Sequence, residues 1–395
     1  VRAVSGILLL AWRYLLWQRW KTIILVLAVT LVLYLPLGLQ RVIQQTATDM
    51  TARADHSPLV LGARGRPLEL VLNSLYFSGG QPPVLDYGDL RALQESGLAG
   101  GIPLYARFHS QGFPIVGTSL DYFPFRGLEL AAGRQMVQLG EAVVGAGVAR
   151  ELGLSPGETL VSSPESVFDL AGVYPLKMNV VGVLAPAFSP DDSAIFVDLK
   201  TAWIIQGLGH GHQDLVRPEA AASVLKKEGD RIVANAALVQ YNEITPDNID
   251  SFHFHGNSDE NPLTAILPVP RDDKSRVLLL GRYQGHAGLQ MLQPRKVMDE
   301  LLATVFEVQR YVLAAMALVA VATGAVVLLV FLLSLRARRS ERDTLWRLGG
   351  GRLQVSALMM AEILVVLALS AVLAACLTAL TALWGGPLLQ AVVMR

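Results

Sequence analysis

The chain has 395 residues, 52% of them apolar and 17% charged, with 33 basic side chains against 33 acidic ones. A net charge of zero argues against a nucleic-acid partner, which needs a basic surplus to neutralise phosphates, and a single cysteine excludes an intrachain disulfide framework or a cysteine-based zinc site. The charged fraction is below the roughly 25% of soluble domains, so segments nearly free of charge are expected.

In chain order, residues 1–21 carry Arg2, Arg13, Arg19 and Lys21 and no acid. Leu9, Trp12, Leu16 and Trp20 share one stripe at helical spacing. The pattern predicts an amphipathic cytoplasmic helix over 1–21, its tryptophans among membrane lipid headgroups. Nineteen uncharged residues lie between Lys21 and Arg41. A hydrocarbon core of about 30 Å needs roughly 20 residues at 1.5 Å each, so 22–40 is a first transmembrane helix. Its apolar core is longer than that of a signal peptide and runs into Tyr34-Leu35-Pro36-Leu37, which predicts a retained anchor.

Residues 41–310 hold 22 bases and 30 acids, a net of −8. At their two ends, 41–56 and 294–310 have helical character, the second with Val297, Leu301, Val305 and Val308 in register, and these are expected to extend the spans as a stalk. Between them, β-branched runs at Pro114–Gly117, Ala142–Gly145, Asn179–Val183 and Ser193–Asp198 alternate with helical patterns at Tyr87–Ser96 and Thr201–Gly207. This predicts an α+β region large enough for two subdomains.

A second charge-free run of twenty-five residues predicts a transmembrane helix at 311–335. Residues 336–352 then hold six arginines against two acids. A third span is expected at 353–384, ended by the Trp384-Gly385-Gly386-Pro387 break and followed by a tail at 385–395. Basic residues flanking spans mark the cytoplasmic side, so 1–21 and 336–352 are inside and 41–310 outside, with the C-terminus outside as well. The expected fold class is an α-helical membrane protein with three transmembrane helices and a large outer α+β domain of two subdomains on a helical stalk.

The 336–352 connection has its own structure. Ser340-Glu341-Arg342-Asp343 fits a capping box and Gly349 a helix C-terminus, which predicts a two-turn helix from Glu341 to Leu348 presenting Leu345, Leu348, Arg342 and Trp346. A helix so short needs something to pack against.

Catalytic signatures are missing. There is no G-x-x-x-x-G-K-[ST], no H-E-x-x-H and no G-x-S-x-G. Gly145-Ala146-Gly147 fails the dinucleotide fingerprint at its third glycine and predicts a turn into a helix. Ser223-Val224-Leu225-Lys226 matches S-x-x-K without the companion motifs of serine acylases. The histidine pairs His210/His212 and His253/His255, with Asp214 and Asp259 nearby, have donors suited to zinc or copper. Histidines beside Gly and Asn are commoner as loop residues, and no metal is assigned to them. Glu362 lies inside the third span, where a costly acid is a candidate for a transport role or else meets the interface or bonds a neighbouring helix.

Several stretches carry a family resemblance. Ile115–Phe123, Gly127–Arg134, Gly140–Gly145 and Val148–Leu154 resemble the periplasmic core domain of MacB-like ABC permeases. Arg339–Val355, ending at Glu362, is similar to the FtsX-like permease signature between the second and third helices. The resemblance implies a membrane subunit in the inner membrane, with 41–310 periplasmic, that dimerises with a second copy of itself and binds a separate cytoplasmic ABC ATPase. ATP and magnesium would sit on that ATPase, with no cofactor and no catalytic residue on this chain. It implies that Glu341, Arg342, Leu345, Trp346, Arg347, Leu348 and Gly349 contact the ATPase, whose cycle moves the periplasmic domain by mechanotransmission. Many members also engage a periplasmic adaptor and an outer-membrane duct and drive efflux. Members typically have four spans, and three are legible here. The alternative is a non-transporting, FtsX-like receptor or regulator acting on a periplasmic partner.

Overall fold

The computed structural model describes residues 2–163, 175–212, 224–228, 231–234, 241–337, 347 and 352–393. They fall into two units, Val1–Met50 with Glu300–Arg395, and Thr51–Asp299. Helix α1 (Arg2–Trp17) ends at a turn on Gln18, so the expected 1–21 helix is shorter and Arg19 and Lys21 open α2 (Arg19–Asp55). The Thr22 hydroxyl donates to the carbonyls of Leu15 and Gln18 at 2.9 and 3.1 Å, bridging the break between the two helices. The stripe of Leu9, Trp12, Leu16 and Trp20 remains exposed, while Ala11 and Leu15 are buried. Helix α2 has 37 residues, about 55 Å at 1.5 Å each, and takes in both the first span and the stalk segment that follows it.

The outer unit follows the predicted runs. Strand β1 (Val60–Ala63) and helix α3 (Pro67–Tyr76) lead to β2 (Leu85–Asp86) and α4 (Tyr87–Glu95), whose start is fixed by a reciprocal Asp86–Asp89 capping box. A hairpin of β3 (Ala99–Ser110) and β4 (Phe113–Thr118) precedes α5 (Tyr122–Arg126), β5 (Leu130–Gly133), β6 (Glu141–Val144) and α6 (Ala146–Leu152). Then come β7 (Thr159–Val161), β8 (Lys177–Leu184), β9 (Ile195–Asp198), α7 (Leu199–Gln206) and β10 (Gly209–Gly211). The remaining strands are β11 (Val224–Glu228), β12 (Arg231–Ala234), β13 (Phe252–Phe254), β14 (Pro262–Leu263), β15 (Ala265–Pro270) and, after α8 (Asp273–Tyr283), β16 (Leu289–Leu292).

Ten strands form one sheet in the order β16-β1-β15-β3-β4-β9-β6-β8-β5, with β7 also paired to β8. The pairs β4–β9 and β6–β8 are parallel and the others antiparallel. Strand β8 buries alternate residues, Met178, Val180, Gly182 and Leu184, as a period of two requires. The core gathers Tyr105, Ile115, Val144, Val197, Trp203 and Ile266. Among the described residues, β10–β13, β11–β12 and β14–β2 pair apart from this sheet as two-stranded ribbons.

Two further long helices complete the chain. Helix α9 (Pro294–Ala337) unites the second stalk segment with the second span over 44 residues, and α10 (Arg352–Val393) carries the third. The expected stop at Trp384-Gly385-Gly386-Pro387 does not occur, and α10 runs through it, so the helix includes most of the 385–395 tail. A proline ring fits helical φ and removes one amide donor, which a long apolar helix tolerates. Parts of α2, α9 and α10 are long and apolar enough to cross a membrane. Within this unit Ser370 donates to the carbonyls of Val26 (3.2 Å) and Val366 (2.8 Å), and the Tyr34 and Thr381 hydroxyls meet at 2.9 Å. Leu15, Leu25 and Val366 pack beside them, while Leu27, Leu31, Leu318, Val321, Leu329 and Leu364 stay exposed, as helices solvated by lipid require.

Candidate functional site

The last turn of α2 belongs to the outer unit, where Arg53 makes its most extensive bonds. Arg53 donates from Nη1 to Asp191 Oδ2 at 2.6 Å, and from Nη2 to Asp191 Oδ1 and to the Tyr122 hydroxyl, both at 2.9 Å. Its Nε donates to the carbonyl of Leu75 and its guanidinium lies over the Phe77 ring. The Tyr122 hydroxyl donates to Asp191 Oδ1 at 2.7 Å and Ser189 Oγ to Asp191 Oδ2 at 2.9 Å. The two charged side chains are only 9% and 1% exposed, so this is a buried, bidentate ion pair with its remaining lone pairs met. Phe77, Phe123 and Phe196 enclose it with the Tyr122 ring.

Local sequence explains how Asp191 gets there. Ser189 caps a short 3-10 turn, Pro190–Ser193, whose two acids face opposite ways. Asp192 accepts from the amides of Ala187 (2.9 Å) and Phe188 (2.8 Å), pinning the loop, and Asp191 is left to point inward. The turn rests on Gly145, where a Cβ would come within 2.2 Å of the Asp191 carbonyl. The Gly145-Ala146-Gly147 sequence thus opens α6 as expected, and its glycine lets the loop carrying Asp191 approach.

The electrostatics keep the joint charged. Burial alone would raise the Asp191 carboxyl, but the Arg53 charge, with bonds from Arg53, Tyr122 and Ser189, holds it below the usual carboxylate range. Burial and then the Asp191 charge push the Tyr122 hydroxyl up, so it stays a donor. Arg126 donates to Ser57 Oγ at 2.8 Å from beside the Tyr122 ring, its own value lowered by burial and then by Arg53. Closer to the surface, Arg295 bonds Asp55 at 2.6 Å, tying the end of α2 to the start of α9. None of Arg53, Tyr122 or Asp191 was singled out for a role by sequence reasoning. The only signal was a solitary arginine closing a long helix, and its partner lies 138 positions away.

The sequence-predicted residues fall elsewhere. Of the ATPase-coupling set, Glu341, Arg342, Leu345, Trp346, Leu348 and Gly349 lie outside the described residues, and Arg347 is exposed. Ser223 and Asp214 also lie outside them, while Lys226 is in β11. Glu362 is 6% exposed, buried within the helical unit.

The four histidines come together. Strands β10 and β13 pair antiparallel with His210 directly opposite His253, Gly209 opposite Phe254 and Gly211 opposite Phe252. With a period of two, His210, His212, His253 and His255 share one face and the phenylalanines the other. Phe252 and Phe254 pack on the core, Phe254 edge-on to Trp203. A Cβ at Gly209 or Gly211 would come within 2.7 and 2.6 Å of those rings, so glycine is what lets the ribbon seat. Ring centres of His253 are 4.9 Å from His210, 5.0 Å from His212 and 4.8 Å from His255. Burial, then the His253, His255 and His212 rings, push His210 down. Asp259 does not join them, since it pairs with Arg91 at 2.7 Å.

Comparison with known proteins gives a family-model match to the MacB-like periplasmic core domain over residues 22–239, more than half of the chain. Among curated proteins no sequence matches. Similar solved structures include the periplasmic region of MacB from Actinobacillus actinomycetemcomitans, 12% identical, covering 62% of this chain and 91% of that one with a TM-score of 0.32. Another is the extracellular domain of the noncanonic ABC-type transporter YknZ from Gram-positive bacteria, also 12% identical, covering 59% and 98% with a TM-score of 0.32.

Proposed function

Because the chain belongs to the family of the MacB-like periplasmic core domain, we propose that it is the permease-type membrane subunit of an ABC complex, converting ATP hydrolysis by a separate cytoplasmic ATPase into movement of its outer domain. The observation that carries this reading is the joint at Arg53. A helix used only as an anchor needs no buried ion pair at its outer end. Here α2 is one helix from the first span to Arg53, and Arg53 grips a carboxylate next to β9, a central strand of the sheet. A displacement along α2 is therefore delivered to the pinned turn that leads directly into β9.

In this mechanism the ATPase engages the cytoplasmic segment at 341–349, with Leu345, Leu348 and Trp346 in a groove and Arg342 and Arg347 on its acids. The helices α2 and α9 shift together, tied by the Asp55–Arg295 bond, and the Arg53–Asp191 bond passes the shift of α2 to the turn before β9. The chain sits in the inner membrane as a homodimer, its outer domain in the periplasm, where an adaptor and outer-membrane duct would complete an efflux path.

The test is to co-purify the chain with its ATPase from membranes and measure ATP hydrolysis. Leu345→Asp is expected to abolish stimulation of the ATPase while membrane insertion persists; stimulation equal to the native level contradicts the coupling role.

A further inference from the structure

We propose that His210, His212 and His253 form a zinc(II) site on the outward face of the β10–β13 ribbon, with His255 as a fourth imidazole donor. The inference is independent of the coupling role.

Geometry carries it. The ligand nitrogens of His210, His212 and His253 lie within 4.8 Å of one another. Five pairs among the four rings have centres between 4.8 and 5.8 Å apart. With Zn–N near 2.0–2.1 Å and the ring centre about 1.1 Å beyond the nitrogen, imidazoles arranged tetrahedrally around one ion have centres about 5.2 Å apart. The pairs among His210, His212 and His253 lie at 4.9, 5.0 and 5.8 Å, near that spacing, and His255 is within 5.0 Å of His210 and His253. Bringing the nitrogens to the roughly 3.3 Å separation of tetrahedral ligands is a matter of side-chain rotation.

The surroundings agree with a ligand role. His253 Nδ1 lies 2.9 Å from the Ser251 carbonyl. A carbonyl only accepts, so Nδ1 carries the proton and Nε2 presents its lone pair to the ion, as a metal-binding imidazole held by an outer partner does. The opposite face of the ribbon is clamped to the core by Phe252 and Phe254 over Gly211 and Gly209, so the histidines stand on a fixed support. Four of the seven histidines in the chain are gathered here, His210 and His253 on the two strands and His212 and His255 just past their ends. A loop histidine in a structural role has no reason to face three others. Donors that are all imidazole favour zinc, copper or nickel and disfavour calcium and magnesium, which take oxygen ligands. Tetrahedral spacing selects zinc. The ion would bind β10 and β13 together from outside, as Phe252 and Phe254 do from within.

The experiment uses the full chain, purified in detergent without a polyhistidine tag and stripped with chelator. Zinc chloride titration is expected to saturate at one ion per chain and to raise the melting temperature, and cobalt(II) in its place is expected to give the intense visible bands of a tetrahedral site. His253→Asn should weaken zinc binding about a hundredfold and His255→Asn about tenfold. The cobalt spectrum of the native chain does not depend on the folding of any variant. Faint octahedral bands, or zinc affinity unchanged in a doubly substituted His210→Asn/His253→Asn chain that retains its metal-free melting temperature, would overturn the site.

Discussion

The joint around Arg53 and the histidine face of the β10–β13 ribbon are two polar clusters in the same outer unit, built on opposite principles. At the joint, unlike groups face one another. A guanidinium, a carboxylate, a phenol and a serine hydroxyl are matched donor to acceptor out of water. On the ribbon, like faces like, and four imidazoles stand within ring contact of one another. A buried cluster in which Arg53, Asp191, Tyr122 and Ser189 bond one another explains how a helix is held. A half-exposed cluster of identical donors does little for the fold and points to something that arrives from outside.

The contrast is broken most severely at Asp191. Asp191→Ala leaves Arg53 charged and unpaired in the interior, a change worth about 3–5 kcal/mol. Hydrogen exchange is expected to speed up sharply in α5, in β9 and in the last turn of α2, with the ribbon unaffected. Tyr122→Phe removes one donor from Asp191 but leaves the ion pair, so about 1 kcal/mol is expected in the same measurement. Acid sharpens the comparison. Burial would raise the Glu141 carboxyl, but the Arg134 guanidinium and the Val137 and Gln138 amides outweigh it and hold it at about 2, against an ordinary value of 4.5. A depressed carboxylate stabilises the fold above its unfolded value. That contribution is complete above pH 4.5 and fades as pH falls toward 2. Glu141→Gln should flatten that limb of the stability profile by a modest amount, because Arg134 is 55% exposed. The smallest effect is expected in the membrane unit, where Ser370→Ala gives up a bond to Val26 worth about 0.6 kcal/mol, read as a slight loss of thermal stability in detergent.

Much of this architecture was legible in the sequence, and the reason differs by element. Charge-free runs locate the helices because hydrocarbon admits no alternative, and the β-branched runs at 114–117, 142–145, 179–183 and 193–198 fall on β4, β6, β8 and β9 because their period is short and local. The α10 terminus was not legible, since Gly-Gly-Pro stops a helix in water more readily than in an apolar setting. The joint was not legible either. Arg53, Tyr122 and Asp191 are ordinary residues in ordinary contexts, and only the folded sheet brings them within a bond of one another. The histidines occupy a middle position. Their i, i+2 spacing showed each pair on one strand face, but the register that sets His210 against His253 is a long-range pairing that neither segment encodes alone.

The central claim is that ATP hydrolysis at the cytoplasmic side moves the outer domain through the helices that end at this joint. It is tested most directly by measuring distances between spin labels at the exposed positions Val137 and Val277 of the outer unit, in the membrane-reconstituted complex with its ATPase. The account predicts distance distributions that differ between ATP-bound and ADP-bound complexes in the native chain and coincide in Asp191→Asn. Identical distributions in the native chain across both nucleotide states, while hydrolysis proceeds, would contradict it.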